Sequence, residues 1–109
     1  MNAELGKDGL LRSCVISGHA GAGSKGGDVV CAAVSALART AVKVLGERKG
    51  LEARGEALQR GSMSLKVGPA LREADRVFLS AAGAFLLEGL GSVAAEYPQN
   101  CTMSVTTER

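Results

Sequence analysis

The 109-residue chain has no tryptophan, one tyrosine, two phenylalanines, two prolines and a single histidine. So few aromatics leave no surface for stacking the bases of a single-stranded nucleic acid. They also require a core of Ala, Val and Leu, which the 46% apolar content can supply. One histidine and no C-x-x-C leave no cysteine/histidine set for a structural zinc, and no cofactor is implied. The three cysteines, Cys14, Cys31 and Cys101, are odd in number and far apart, so they form no disulfide framework and suit a reducing cytoplasm. Charge is nearly balanced, with 13 basic against 11 acidic residues interspersed along the chain. A net charge of +2 is too mild to predict contact with a phosphate backbone, so no direct nucleic-acid partner is expected. The opening MNAELGKDG has neither a basic start nor an apolar signal core. The longest uncharged apolar run, 77–87, is about half of what a bilayer crossing needs, so no membrane partner is expected. The length fits one domain over residues 1–109.

What the chain has in plenty is glycine, and residues 18–35, GHAGAGSKGGDVVCAAVS, gather it beside the two residues with chemical capability. His19 is followed by Ala20, Gly21, Ala22, Gly23, Ser24, Lys25, Gly26 and Gly27, a stretch of little intrinsic shape that reads as a flexible substrate loop. At Asp28 the glycines stop and an apolar periodic run begins, which marks a helix start with Asp28 as its cap. Cys31 then falls in the first turn. A free thiol has a pKa of about 8.5, and the thiolate is the reactive form. A helix N-terminus lowers that by roughly a unit at most, so a base is needed beside it. His19 is the one histidine available to act as that base. The structural alternative is a cysteine that merely fills the helix start and a histidine on the surface.

Gly21, Gly23 and Gly26 also spell G-x-G-x-x-G, the pattern of a dinucleotide-binding turn. The chain is too short for the further strand–helix units such a fold needs. Gly23 is followed by Ser24 where a P-loop needs lysine, so a nucleotide site is not expected.

The same stretch resembles the ribosomal-processing cysteine proteases, whose pattern is Gly-His-Ala, a short loop, then Asp-Ile-Val-Cys-Ala-Ala-Val-Ser. Here these stand as Gly18-His19-Ala20 and Asp28-Val29-Val30-Cys31-Ala32-Ala33-Val34-Ser35. The resemblance continues through Glu96-Tyr97-Pro98 and a final strand. It departs at Ala22, where the family often carries an aromatic, and in a shorter first strand. The resemblance implies that His19 and Cys31 are the catalytic dyad, with Gly18, Asp28 and Ser35 supporting it. It also implies a homodimer whose substrate is the N-terminal extension of a large-subunit ribosomal protein, number twenty-seven.

The remaining pattern predicts an α/β (α+β) domain: a mostly antiparallel sheet of about five strands with two helices. Strands are expected at 2–5 and 10–17, joined at Asp8-Gly9, with Leu10, Cys14 and Ile16 facing one way. A helix over 28–45 stops at Gly46 and buries Val30, Val34, Leu37, Ala41 and Val44. Strands at 51–58 and 62–67 are joined across Gln59-Arg60-Gly61, and Arg48, Lys49, Arg54 and Arg60 form a solvated basic rim. A second helix over 70–97 is apolar on most sides, which predicts packing between the sheet and a second subunit. Pro98 ends it, and a strand follows at 101–106. Within this frame Cys31 attacks a peptide carbonyl, His19 moves the proton, and backbone N–H groups at the helix start hold the oxyanion. A non-catalytic ribosome-associated module, using the loop as a clamp, is the competing expectation; it leaves binding intact in Cys31→Ala.

Overall fold

Local chemistry at the first hairpin sets the phase of the sheet. In the computed structural model, which describes residues 1–17, 27–57 and 62–109, β1 (Asn2–Leu5) turns back into β2 (Leu11–Ile16). Gly9 adopts φ 82°, a conformation that costs glycine nothing. Its N–H donates to the Gly6 carbonyl at 2.9 Å, and the Gly6 N–H donates to the Leu10 carbonyl at 2.8 Å. The Asp8 carboxylate accepts from the Leu10 N–H at 3.0 Å and pairs with Arg76 at 3.1 Å. The first of these contacts, more than the arginine, holds the Asp8 carboxyl below its usual range.

Glu4 then pairs with Ser13 but Leu5 with Leu11, so Arg12 is an extra residue on β2. Such a bulge resets the alternation. Leu11 and Cys14, three apart, therefore both face the core, at 2% and 0% exposure. Leu10, expected inside, is only half-buried, and Leu11 takes its place.

The chain continues through α1 (Gly27–Glu47), a 3-10 turn (Lys49–Leu51), β3 (Ala53–Glu56), β4 (Met63–Val67), α2 (Glu73–Glu96) and β5 (Ser104–Thr107). The strands lie in the order β3-β4-β2-β1-β5, antiparallel except for the β1/β5 pair. This is the expected mostly antiparallel five-strand sheet with two helices. One face of the sheet carries Ala3, Cys14 and Leu65 in register beneath the helices, and the other carries Glu4, Ser13, Lys66 and Arg54. Val30, Val34, Ala38 and Leu45 of α1 meet Leu79, Leu86 and Leu90 of α2 in the same core.

Several boundaries differ from those expected. Helix α1 begins at Gly27, so that glycine belongs to the helix and not to the loop, and Asp28 lies inside the first turn instead of capping it. Gly46 is helical too, because α1 continues to Glu47. Val44, expected in the buried stripe, is 39% exposed. Helix α2 starts at Glu73, and β5 starts at Ser104. Residues 49–51 form the 3-10 turn, and Glu52 has φ 49°, which delays β3 to Ala53. The turn expected at Gln59-Arg60-Gly61 lies outside the described residues.

Arg48 is no solvated rim residue: its Nε donates to Asp75 at 2.7 Å, and its guanidinium sits 4.4 Å from the Phe78 ring centre. Asp75 is 7% exposed. Burying that carboxylate is tolerable because the arginine satisfies it. By length and composition alone, α1 and α2 could each cross a bilayer, which the shorter run 77–87 did not anticipate. In this fold each lays one face on the sheet.

Candidate active site

Glycine gives way to an apolar sequence where the chain is drawn into the core. Gly27 and Val30 are buried while Asp28 and Val29 point outward, so the first turn of α1 is already pinned on one side. A carboxylate in that turn is favoured by the positive end of the helix dipole. Cys31 is the fifth helical residue, at 7% exposure, one residue deeper than the sequence predicted.

That depth has a chemical consequence. The first four N–H groups of a helix have no partner within it, whereas the fifth already bonds back to the first carbonyl. The N–H groups of Gly27, Asp28 and Val29, the first three residues of α1, are therefore among those without an intrahelical acceptor, and that of Cys31 is not. A helical side chain leans toward the N-terminus, so the Cys31 thiol lies over the turn made by Gly27 and Asp28. Ser35, half-buried, follows four residues later on the same side. The helix start thus gathers a sulfur nucleophile and hydrogen-bond donors suited to an oxyanion.

The other two thiols stand in contrast. Cys14 is fully enclosed in β2, and burial pushes its thiol up to about 11. Cys101 is half-buried, and burial raises it as well. Neither meets the requirement for a reactive thiolate. Among the described residues no group of three metal-ligating side chains converges.

Of the residues singled out from sequence, Asp28, Cys31 and Ser35 come together on the first turns of α1, with Gly27 at its start. Gly18, His19, Ala20, Gly21, Ala22, Gly23, Ser24, Lys25 and Gly26 lie outside the described residues. The chain reaches that segment from Ile16, at the end of β2, and leaves it at Gly27. Sequence reasoning missed the Arg48–Asp75 pair, whose signal was an aspartate four residues before a core leucine, Leu79.

The structure is a two-layer α+β fold with a cysteine held at the start of its first helix. Residues 2–102 match the sequence model of the cysteine protease Prp, and the chain belongs to that family of cysteine proteases. Comparison with curated proteins returns no match. Among solved structures, SMU.848 from Streptococcus mutans is similar with a TM-score of 0.75 and 27% identity, over 98% of this chain and 92% of that one. The ribosomal processing protease Prp from S. aureus, in complex with a covalently linked product peptide, aligns with a TM-score of 0.71 at 17% identity, over 98% and 96% of the two chains. The same enzyme in complex with a substrate peptide gives 0.72 and 18% over the same shares. These last two likenesses concern the fold.

Proposed function

We propose that this cysteine protease removes the N-terminal extension of a ribosomal protein, that of large-subunit protein number twenty-seven, through a dyad of Cys31 and His19. The observation that carries this reading is the position of Cys31, buried on the first turns of α1 and leaning toward the N-terminal end of that helix. The ribosomal substrate is supported by the solved S. aureus enzyme of the same fold, which is a ribosomal processing protease with bound peptide.

In the reaction His19 takes the Cys31 proton, and the thiolate adds to the scissile carbonyl carbon. The negative oxygen that forms is held by N–H donors of the α1 start. His19 returns the proton to the leaving amine as the C–N bond breaks, and water then hydrolyses the thioester with His19 as base. Gly18, Asp28 and Ser35 act as supporting positions. The enzyme works in the cytoplasm as a homodimer.

Incubation of the purified chain with an extended ribosomal precursor, read by mass spectrometry, tests the proposal. The expected result is one cut by the wild type and none by Cys31→Ala or His19→Ala. An intact precursor after incubation with reduced, folded enzyme would overturn it.

A further inference from the structure

Resting on the protease reading, we infer that the substrate polypeptide docks as an additional strand on the free edge of β3 and runs from there to Cys31. The sheet order makes β3 and β5 its two edges, and among the described residues neither has a partner on its outer side. An unpaired edge is a template for an extended peptide. Which edge serves the site follows from α1.

Cys31, Ser35 and Val42 fall at four- and seven-residue steps, so they share one side of that helix. A Cβ placed on Gly55 of β3 would lie 3.0 Å from Cγ2 of Val42. The side of α1 that bears Cys31 is therefore the side that rests on β3. Helix α1 hands over to β3 through the tight 3-10 turn, so β3 runs back toward the start of the helix. β5 lies four strands away, at the opposite edge.

The hydrogen-bonding phase identifies the groups on offer. The Met1 and Leu5 carbonyls accept from Ser104 and Glu108 of the β5 segment, so odd-numbered residues of β1 face β5 and even-numbered ones face β2. Carrying that alternation through the registers Glu4–Ser13, Cys14–Leu65 and Arg54–Lys66 turns Arg54 and Glu56 toward β4. The main-chain N–H and C=O of Ala53 and Gly55 then point outward. Val42 lies eleven residues beyond Cys31, about 16 Å along a helix, which an extended chain covers in about five residues. A substrate must therefore reach at least about five residues from the scissile bond on one side to engage Ala53 and Gly55.

The test uses the full chain with Cys31→Ala, saturated with an extended precursor peptide that the wild type cleaves, and reads residue-resolved amide exchange by NMR. The expected result is exchange at Ala53 and Gly55 slowed at least about tenfold, with Val105 and Thr107 at the other edge unchanged. Shortening the peptide below about five residues on the engaged side should raise KM for the wild type and leave kcat near its original value. Protection at β5, or at neither edge while the peptide is bound, overturns the edge assignment without touching the protease reading. A wild type that cuts no such peptide fails the proposed function instead.

Discussion

Cysteine is the residue on which the chemistry and the folding energetics diverge. Cys14 has no exposed surface, and its thiol is pushed up to about 11, whereas an unperturbed thiol ionises at about 9. A raised acid pKa favours the protonated form in the folded state, so the unfolded chain loses its proton first as the solution becomes alkaline. Stability is then unaffected by Cys14 below about pH 9 and falls between there and about pH 11, by about 2 to 3 kcal/mol in all. Urea unfolding of the wild type and of Cys14→Ala across that range should show this: the wild type loses more stability than the variant, although the variant starts lower. Iodoacetamide at neutral pH gives the companion result, with Cys31 labelled first, Cys101 slowly, and Cys14 only after unfolding. Equal rates at Cys31 and Cys101 would mean that the helix start does not activate its thiol.

Between elements, glycine marks both close approach and open space, and substitution separates the two. A Cβ on Gly50 would fall 2.0 Å from Oδ2 of Asp75, a short buried side chain already committed to Arg48. Gly50→Ala should therefore break that pair and cost about 1 to 3 kcal/mol, seen as a lower Tm. Gly46→Ala meets nothing within 4 Å in an exposed part of α1. It should stabilise the protein by about 0.5 to 1 kcal/mol, because alanine favours the helix. This second site explains a boundary the sequence misplaced: Gly46 looked like a stop, but the helix continues to Glu47 because Leu45 is anchored in the core. Both helices were otherwise legible, since periodicity reports a buried face directly. The Arg12 bulge was not, because a local break in alternation does not say which neighbour moves into the core. A charged turn over 47–50 was legible, but the left-handed Glu52 was hidden for a similar reason, as nothing in Leu51-Glu52 distinguishes the end of a tight turn from a strand start.

At the scale of the molecule, the helix start that carries Cys31 was more legible in the sequence than the topology. Cys31 could be found because a change from glycine to apolar residues is a local signal, while the parallel pairing of β1 with β5 joins residues about a hundred positions apart. The expected second subunit is also a whole-molecule matter, and the outer surface of the helices bears on it. Val77 is 60% exposed and Phe85 75%, and a groove lined by Leu37, Ala41, Val44, Ala82 and Leu86 runs beside Phe85. A ridge beside a groove on one surface is self-complementary under a two-fold axis, so that each Phe85 can enter the partner's groove. Phe85→Glu puts a carboxylate there without disturbing a buried position. Sedimentation equilibrium should give twice the chain mass for the wild type and the single-chain mass for this variant, with the same far-UV spectrum. Dimer retained by Phe85→Glu would move the interface elsewhere, and monomeric wild type would leave α2 bare on its outer side. The introduced carboxylate also predicts a pH signature: acidification that neutralises it should partly restore the dimer, which a defect in folding would not do.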